Sequence, residues 1–341
     1  MVFLPLWYNQ SITELSLSPA ADDLPEEIND EPQEQNKINA FFAQTDEHGI
    51  SNLAKTKKAK IIRRIASTDP QQSVEASDSR PAAEYPLGVI VEQGKLIGFG
   101  IHIYNEDVYP LQYFEIYLRD CDLTGTLDVS DCEDMLFPDI YHNRISAIHT
   151  ANMPSMRILG IQDNQIEALD PSELPLCQGI DAGKNRLRHI DVSRNAELVE
   201  LYLNDNRLAE IHLQANQKLK YFYCHNNEIA ELDTRANPLL RHLDCCGNPM
   251  KIFRGFAPQS NGRLPLEISA GEGGFIGIKY CPIYNAQWKE TGKWQQRYFA
   301  YPQKGQRFIG WYTNGVRVSD AAILDDPYGT GRILHAVFEK E

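Results

Sequence analysis

Leu198-Val-Glu-Leu201-Tyr-Leu203-Asn-Asp-Asn206-Arg-Leu208-Ala-Glu-Ile211 sets five apolar side chains in fixed phase around an asparagine. Steps of 21 residues in either direction reproduce the arrangement. Asparagine stands at Asn143, Asn164, Asn185, Asn206, Asn227 and Asn248. Three residues before each are Ile140, Ile161, Ala182, Leu203, Cys224 and Cys245. Two after it are Ile145, Ile166, Leu187, Leu208, Ile229 and Met250, and five after it Ile148, Leu169, Ile190, Ile211, Leu232 and Phe253. Such a period marks stacked coils that share one core. A short strand alternates its side chains between two faces, and the inward ones stack on the next coil. The chain must then turn sharply and leave backbone groups buried between coils. An asparagine side chain carries both an acceptor and a donor for them. Each such group left unpaired would cost about 1–3 kcal/mol. Aspartate would bring a charge to desolvate and glutamine would reach too far, so the column is read as a structural ladder.

These residues resemble the leucine-rich repeat family, whose pattern is LxxLxLxxNxLxxL, over residues 113–258. The first coil is irregular: Ile116, Leu118, Cys121 and Leu123 fit, with Cys121 in the asparagine place, and Leu123-Thr-Gly-Thr-Leu127-Asp-Val-Ser130 carries one extra residue. Ile190-Asp-Val-Ser193-Arg-Asn195 resembles the LDVSxN segment of bacterial repeats, and Asn216 and Asn237 hold the place of Asn195. The resemblance implies a solenoid of short parallel strands in a right-handed coil, with little helix on the convex side. Met153, Pro171 and Leu174 depart from the pattern, so the early convex side is expected to be less regular.

From residue 266 the texture becomes aromatic and glycine-rich. Gly273-Gly274, then Ala300-Tyr-Pro302-Gln-Lys-Gly305-Gln-Arg-Phe308-Ile-Gly-Trp311-Tyr-Thr-Asn-Gly315, then Leu334-His-Ala-Val-Phe338, resemble the internalin-type B-repeat module. That resemblance implies a small β-grasp domain. Trp311 and Phe308 are read as its core.

Upstream, residues 1–36 hold no Lys or Arg and read as an acidic arm. Apolar positions within 37–56 predict a short helical element. Lys55 to Arg64 carries six basic residues and reads as the solvated face of a helix. Residues 66–84 read as a linker. Val89-Ile-Val91 and Leu96 to Ile103 flank Glu92-Gln-Gly-Lys95, a hairpin signal. The expected divisions are 1–84 (arm, helical element, linker), 85–112 (hairpin cap), 113–265 (solenoid) and 266–341 (module).

The 341 residues carry 33 Lys and Arg against 47 Asp and Glu, a net charge of −14. This argues against a general nucleic-acid binder. No 18-residue apolar run exists to span a membrane. Met1-Val-Phe-Leu-Pro-Leu-Trp7 lacks a basic flank and a cleavage site, so no export signal is read there. The seven cysteines have no zinc-type spacing and read mostly as small buried residues.

Candidate chemistry is sparse. Asp120 to Asp131 places acids as a calcium loop would, but position 12 is Asp131 where a bidentate Glu is wanted, and the acids fall in phase with the first coil. His225, His242 and Cys246 face the same side, yet their spacing comes from the repeat, so no metal is assigned. No nucleophile elbow, HExxH or phosphate loop occurs. Residues 1–110 are too short and linker-like for a catalytic domain, so a non-enzyme without cofactor is expected.

Alternation places the residues six, four and two before each asparagine on the concave face. The columns read Phe137, Ile158, Gly179, Glu200, Tyr221, His242; then Asp139, Gly160, Asp181, Tyr202, Tyr223, Asp244; then Tyr141, Gln162, Gly183, Asn204, His225, Cys246. Phe137, Asp139 and Tyr141 form one aromatic and acidic cluster. Tyr202, Tyr221, Tyr223, His225, His242 and Asp244 form another, and glycines 160, 179 and 183 make a saddle near Asp181 between them. Aromatics are enriched at interface hot spots. The expected ligand is a protein or a glycan, bound by a monomer at the bacterial cell surface or in the secreted space. A cytoplasmic scaffold or effector is the alternative.

Overall fold

The structure, a computed structural model, describes residues 40–41, 43–52, 60–65, 91–92, 95–96, 112–117, 119–131, 135–258, 264–286, 289–326 and 332–341. The arm 1–36 and the linker 66–84 lie outside these residues.

Each coil contributes one short strand to a common sheet: Ile158–Gly160, Gly179–Asp181, Glu200–Tyr202, Tyr221–Tyr223 and His242–Asp244. They pair in parallel, with Leu201 between Ile180 and Phe222. The central residue of each strand points inward, so Leu159, Ile180, Leu201, Phe222 and Leu243 form one buried column. Ile161, Ala182, Leu203, Cys224 and Cys245 form the next. The expected leucine-rich-repeat solenoid, a stack of parallel coils, is what the chain forms. Its buried cysteines behave as small apolar residues: burial pushes the Cys177 thiol up to about 12 and those of Cys224 and Cys245 well above their usual value.

The asparagine ladder joins the coils. Asn206 Nδ2 donates to the carbonyls of Ala182 (2.9 Å) and Leu203 (3.1 Å), and its Oδ1 accepts from the Leu187 amide (2.9 Å). Asn164, Asn185, Asn227 and Asn248 repeat the pattern. Asn143 reaches the irregular first coil through the amides of Cys121 and Leu123. The residue before each ladder asparagine turns the chain in the left-handed region: His142, Asp163, Lys184, Asp205, Asn226 and Gly247. Asx and glycine residues tolerate that region best. On the convex side Asn195, Asn216 and Asn237 form a second column. Asn216 Nδ2 bridges the carbonyls of Val192 (3.0 Å) and Asn195 (2.9 Å).

The first convex strand, Thr124–Asp128, is sealed by side chains. Gln44 accepts from the Thr126 amide (2.8 Å) and donates to its carbonyl (2.7 Å). Asn52 does the same for Thr124 (2.9 and 2.7 Å). Two primary amides thus imitate a neighbouring strand. Gly125, at φ 87°, leaves the room: a Cβ there would sit 1.7 Å from Gln44 Oε1. Of the expected helical element, residues 40, 41 and 43 are helical, and Phe41 is fully buried.

The basic run departs from its expected helix. Lys60–Ile65 is a strand, antiparallel to Gln112–Tyr117, at one edge of the long sheet. Ile61, Ile62 and Ile65 favour extended backbone, and Lys and Arg suit an edge that must stay unpaired. The hairpin falls where its glycine turn put it, with Val91 opposite Leu96.

The C-terminal segment is paired with the coils. Gly274–Tyr284 turns back and pairs antiparallel with the last coil, Leu243 opposite Tyr280 and Asp244 opposite Lys279. Glu290–Pro302 and Ile323–Asp325 extend the same sheet. A second sheet runs from Glu231–Asp233 and Ile252–Phe256 through Pro265–Ala270, Ile333–Lys340, Gln306–Thr313 and Val316–Ser319. Both sheets therefore cross the limit expected at 265. Trp311 is fully buried between them, with Phe308 packed edge-on at 5.5 Å.

Candidate functional site

The two predicted clusters differ in depth. In the first, Asp139 is fully buried and ion-paired with Arg119. Burial raises its carboxyl to about 6, although Arg119 opposes the shift. The Arg119 guanidinium also lies over the Tyr141 ring, 4.6 Å from its centroid. Tyr141 Oη donates to Asp181 Oδ2 (3.0 Å). Asp181 is 8% exposed, and burial raises it to about 6, with a smaller upward push from Asp139 and Glu200. Alternation carried no information on the depth of these acids, and neither lies open on the face. Gly160 and Tyr202 are the cross-strand neighbours of Asp181; Gly179 lies two residues before it on its own strand, and Gly183 two after it, past the strand's end. The Phe137 side chain is outside the described residues.

The second cluster is a set of stacked rings. Tyr202 lies on Tyr223, with centroids 5.2 Å apart and planes at 22°. Tyr221 lies on His242 at 4.4 Å and 25°. Tyr202, Tyr221 and Tyr223 stay partly exposed, while His242 and Asp244 are buried. Burial, helped by the Arg241 charge, lowers the His242 imidazole to about 4, so it is neutral at pH 7. Asp244 binds Lys279 Nζ at 2.6 Å. His225 sits between Asp205 (3.8 Å) and Asp244 (3.9 Å).

Several residues of this cluster come from outside the repeat. Tyr284 continues the Tyr221–His242 stack at 6.4 Å, and its hydroxyl lies 3.4 Å from His242 Nε2. Lys279 extends the Asp244 column. Arg241 pairs with Glu290 (2.5 Å) and lies 5.6 Å from the Trp294 ring. Period-two alternation along Gly274–Tyr284 could have shown which of its residues share a face. No local signal told that this strand would turn back onto the last coil.

Among the described residues no group of three or more His, Cys, Asp or Glu is placed to hold a metal ion. His242 is held in the ring stack, on a different column from His225. In the Asp120–Asp131 stretch the acids take separate partners. Asp122 pairs with Arg144 (2.5 Å), Asp128 accepts from the Ser130 amide (3.0 Å), and Asp131 accepts from Asn152 (3.1 Å). No described helix is long and apolar enough to cross a membrane.

The fold is that of a leucine-rich-repeat solenoid, and solved structures of such proteins are similar to it. Internalin InlF of Listeria monocytogenes is 20% identical over 38% of this chain and 43% of its own, with a TM-score of 0.31. The functional domain of InlJ from Listeria monocytogenes, which includes a cysteine ladder, is 12% identical over 66% of each chain, with a TM-score of 0.39. A leucine-rich-repeat protein of Leptospira interrogans is 20% identical over 35% of this chain and 39% of its own, with a TM-score of 0.29. The chain spans less than two thirds of each. No family model and no curated protein matches it.

Proposed function

We propose that the chain is a non-enzymatic protein-interaction protein of the bacterial cell surface or secreted space, with its ligand on the concave face. The observation that carries this is the aromatic row that runs from the coils into the C-terminal strands: Tyr202 on Tyr223, and Tyr221 on His242 beside Tyr284. Tyrosines supply large contact area at low conformational-entropy cost. The same geometry favours a polypeptide over a glycan. A sugar ring lies on an open aromatic face, whereas these faces are taken by neighbouring rings except at the ends of the row. Residues 266–341 are read as a β-grasp module that lends strands to this face, and the limits at 84, 112 and 265 are part of the same reading.

The test is a screen of the purified chain against immobilised proteins and glycans, repeated with Tyr202, Tyr221 and Tyr223 all changed to Ala. Protein hits lost by the variant at an unchanged melting temperature support the reading. Hits that survive place the ligand elsewhere, and ring-dependent glycan hits overturn the preference for polypeptide.

The surface placement rests on the sequence resemblance. A cytoplasmic scaffold is the second reading, favoured by the free thiols at Cys177, Cys224, Cys245, Cys246 and Cys281. Protease treatment of intact source cells separates the two. Loss of the chain while a cytosolic control survives supports the surface. Protection, once fractionation has accounted for any periplasmic pool, supports the scaffold.

A further inference from the structure

We propose that the flank of the coils built on Asn185 and Asn206 is a second docking surface, and that its occupant is an acidic stretch of a polypeptide partner. The residues after each ladder asparagine alternate between core and solvent. Asn185 and Leu187 are buried while Arg186 and Arg188 are exposed. On the next coil Asn206 and Leu208 are buried while Arg207 is exposed. The stacking sets Arg186 and Arg207 in one column. The Arg186 amide donates to the Ile166 carbonyl and the Arg207 amide to the Leu187 carbonyl, each on the preceding coil. Such a column advances about 4.8 Å per coil. Two arginines therefore stand in register on adjacent coils, with a third two residues along.

These three differ from the arginines of other coils. Arg144, in the same column, pairs with Asp122, while Arg235 pairs with Asp233 and Arg254 with Glu231. Among the described residues Arg186, Arg188 and Arg207 form no ion pair and no side-chain hydrogen bond. Like charges gathered this closely repel one another. The ladder beneath is made by Asn185 and Asn206 without them. In a chain of net charge −14 they form a local island of the opposite sign.

The charge and the limits of the island select the occupant. A guanidinium fork meets a carboxylate through two parallel hydrogen bonds. The island is closed at both ends by exposed acids: Glu167 stands one coil before Arg188, and Glu228 one coil after Arg207. A uniform polyanion such as a sulfated glycan, laid along the column, would run onto those carboxylates. A polypeptide can set acids opposite the arginines and neutral residues opposite the glutamates. This surface lies off the concave face and does not depend on the reading given above.

The experiment pans displayed random dodecapeptides on the full chain. Selected peptides are then measured against the double variant Arg186→Gln/Arg207→Gln, against Arg188→Gln, and against the chain with Tyr202, Tyr221 and Tyr223 changed to Ala. The expected result is a peptide family rich in Asp and Glu. Its affinity should fall about tenfold or more with the double variant, fall as salt is raised, and survive the tyrosine changes. The absence of any arginine-dependent family overturns the surface and leaves the concave-face reading standing. Heparin that binds through the same arginines, with no acidic peptide selected, overturns the polypeptide occupant. A family that appears only when the acids of residues 22–34 are changed to their amides gives the flank to the chain's own acidic segment and overturns the external partner. Melting temperatures show which variants are folded, and Arg188→Gln decides if the double variant is not.

Discussion

The two halves of the concave face share one backbone, one ladder and one register, yet they use acids and rings in opposite ways. Around Asp181 the neighbours are glycines, so the carboxylate sinks, loses water and turns to a tyrosine hydroxyl. Around Tyr223 the neighbours are large, and Tyr202 rests on Tyr223 while Tyr221 rests on the buried His242. Both acids are buried, so what sets the halves apart is the partner that meets each one: a tyrosine hydroxyl at Asp181 and an ammonium at Asp244. The C-terminal strands sharpen the contrast, because Lys279 neutralises Asp244 whereas no cation of the described residues faces Asp181.

What both halves share should be the hardest thing to lose. Asn206→Ala removes two hydrogen bonds between coils and leaves the Leu187 amide and Ala182 carbonyl unpaired. It is expected to lower stability by about 2–4 kcal/mol in urea unfolding. Next comes Lys279→Met, which strands the buried Asp244 carboxylate. An expected loss of about 1–3 kcal/mol, discounted because Lys279 is partly exposed, should largely vanish when Asp244→Asn is added. A full loss in the double variant would show that Lys279 acts through packing instead.

Asp181→Asn should move in the other direction. Its folded carboxyl, pushed up to about 6 from 3.8, binds its proton more tightly than the unfolded one. Its contribution is therefore fully present below about pH 4 and is lost as pH rises through 6. The near-isosteric amide should be more stable than wild type by about 1–2 kcal/mol at pH 7.5. That gain should shrink on descending through pH 6 in thermal melts. An equal gain at pH 5 and 7.5 would mean that the acid is not the cause. Tyr284→Ala, at the end of the stack, should change stability least, by about 1 kcal/mol or less. It should still weaken any ligand that spans the junction, as read by calorimetry.

The ladder was legible in full. Asn143 to Asn248 recur at one spacing, and an asparagine side chain has one efficient way to satisfy a buried turn. The identities of the outward columns were equally plain, since alternation is local. The depth of Asp139 and Asp181 was not, because Arg119 and Tyr141 reach them from other coils. Neither was the partnership of Asp244 with Lys279, which are brought together by a strand that reverses direction after the last coil. The strand at Lys60–Ile65 was hidden for the same reason. Its partner lies across a long intervening segment, and a basic run reads alike on a helix and on a sheet edge.

Both sheets pass the limit expected at 265 without a break, and this ties the C-terminal strands to the coils in one register. Along the long sheet, Asp181 and the Gly274–Tyr284 strand are separated only by coils, each advancing about 4.8 Å. Adding or deleting one 21-residue coil would shift the two ends of the face by that increment while preserving the ladder and the joint. The distance between the two ends would then change in whole graduations, with no intermediate settings.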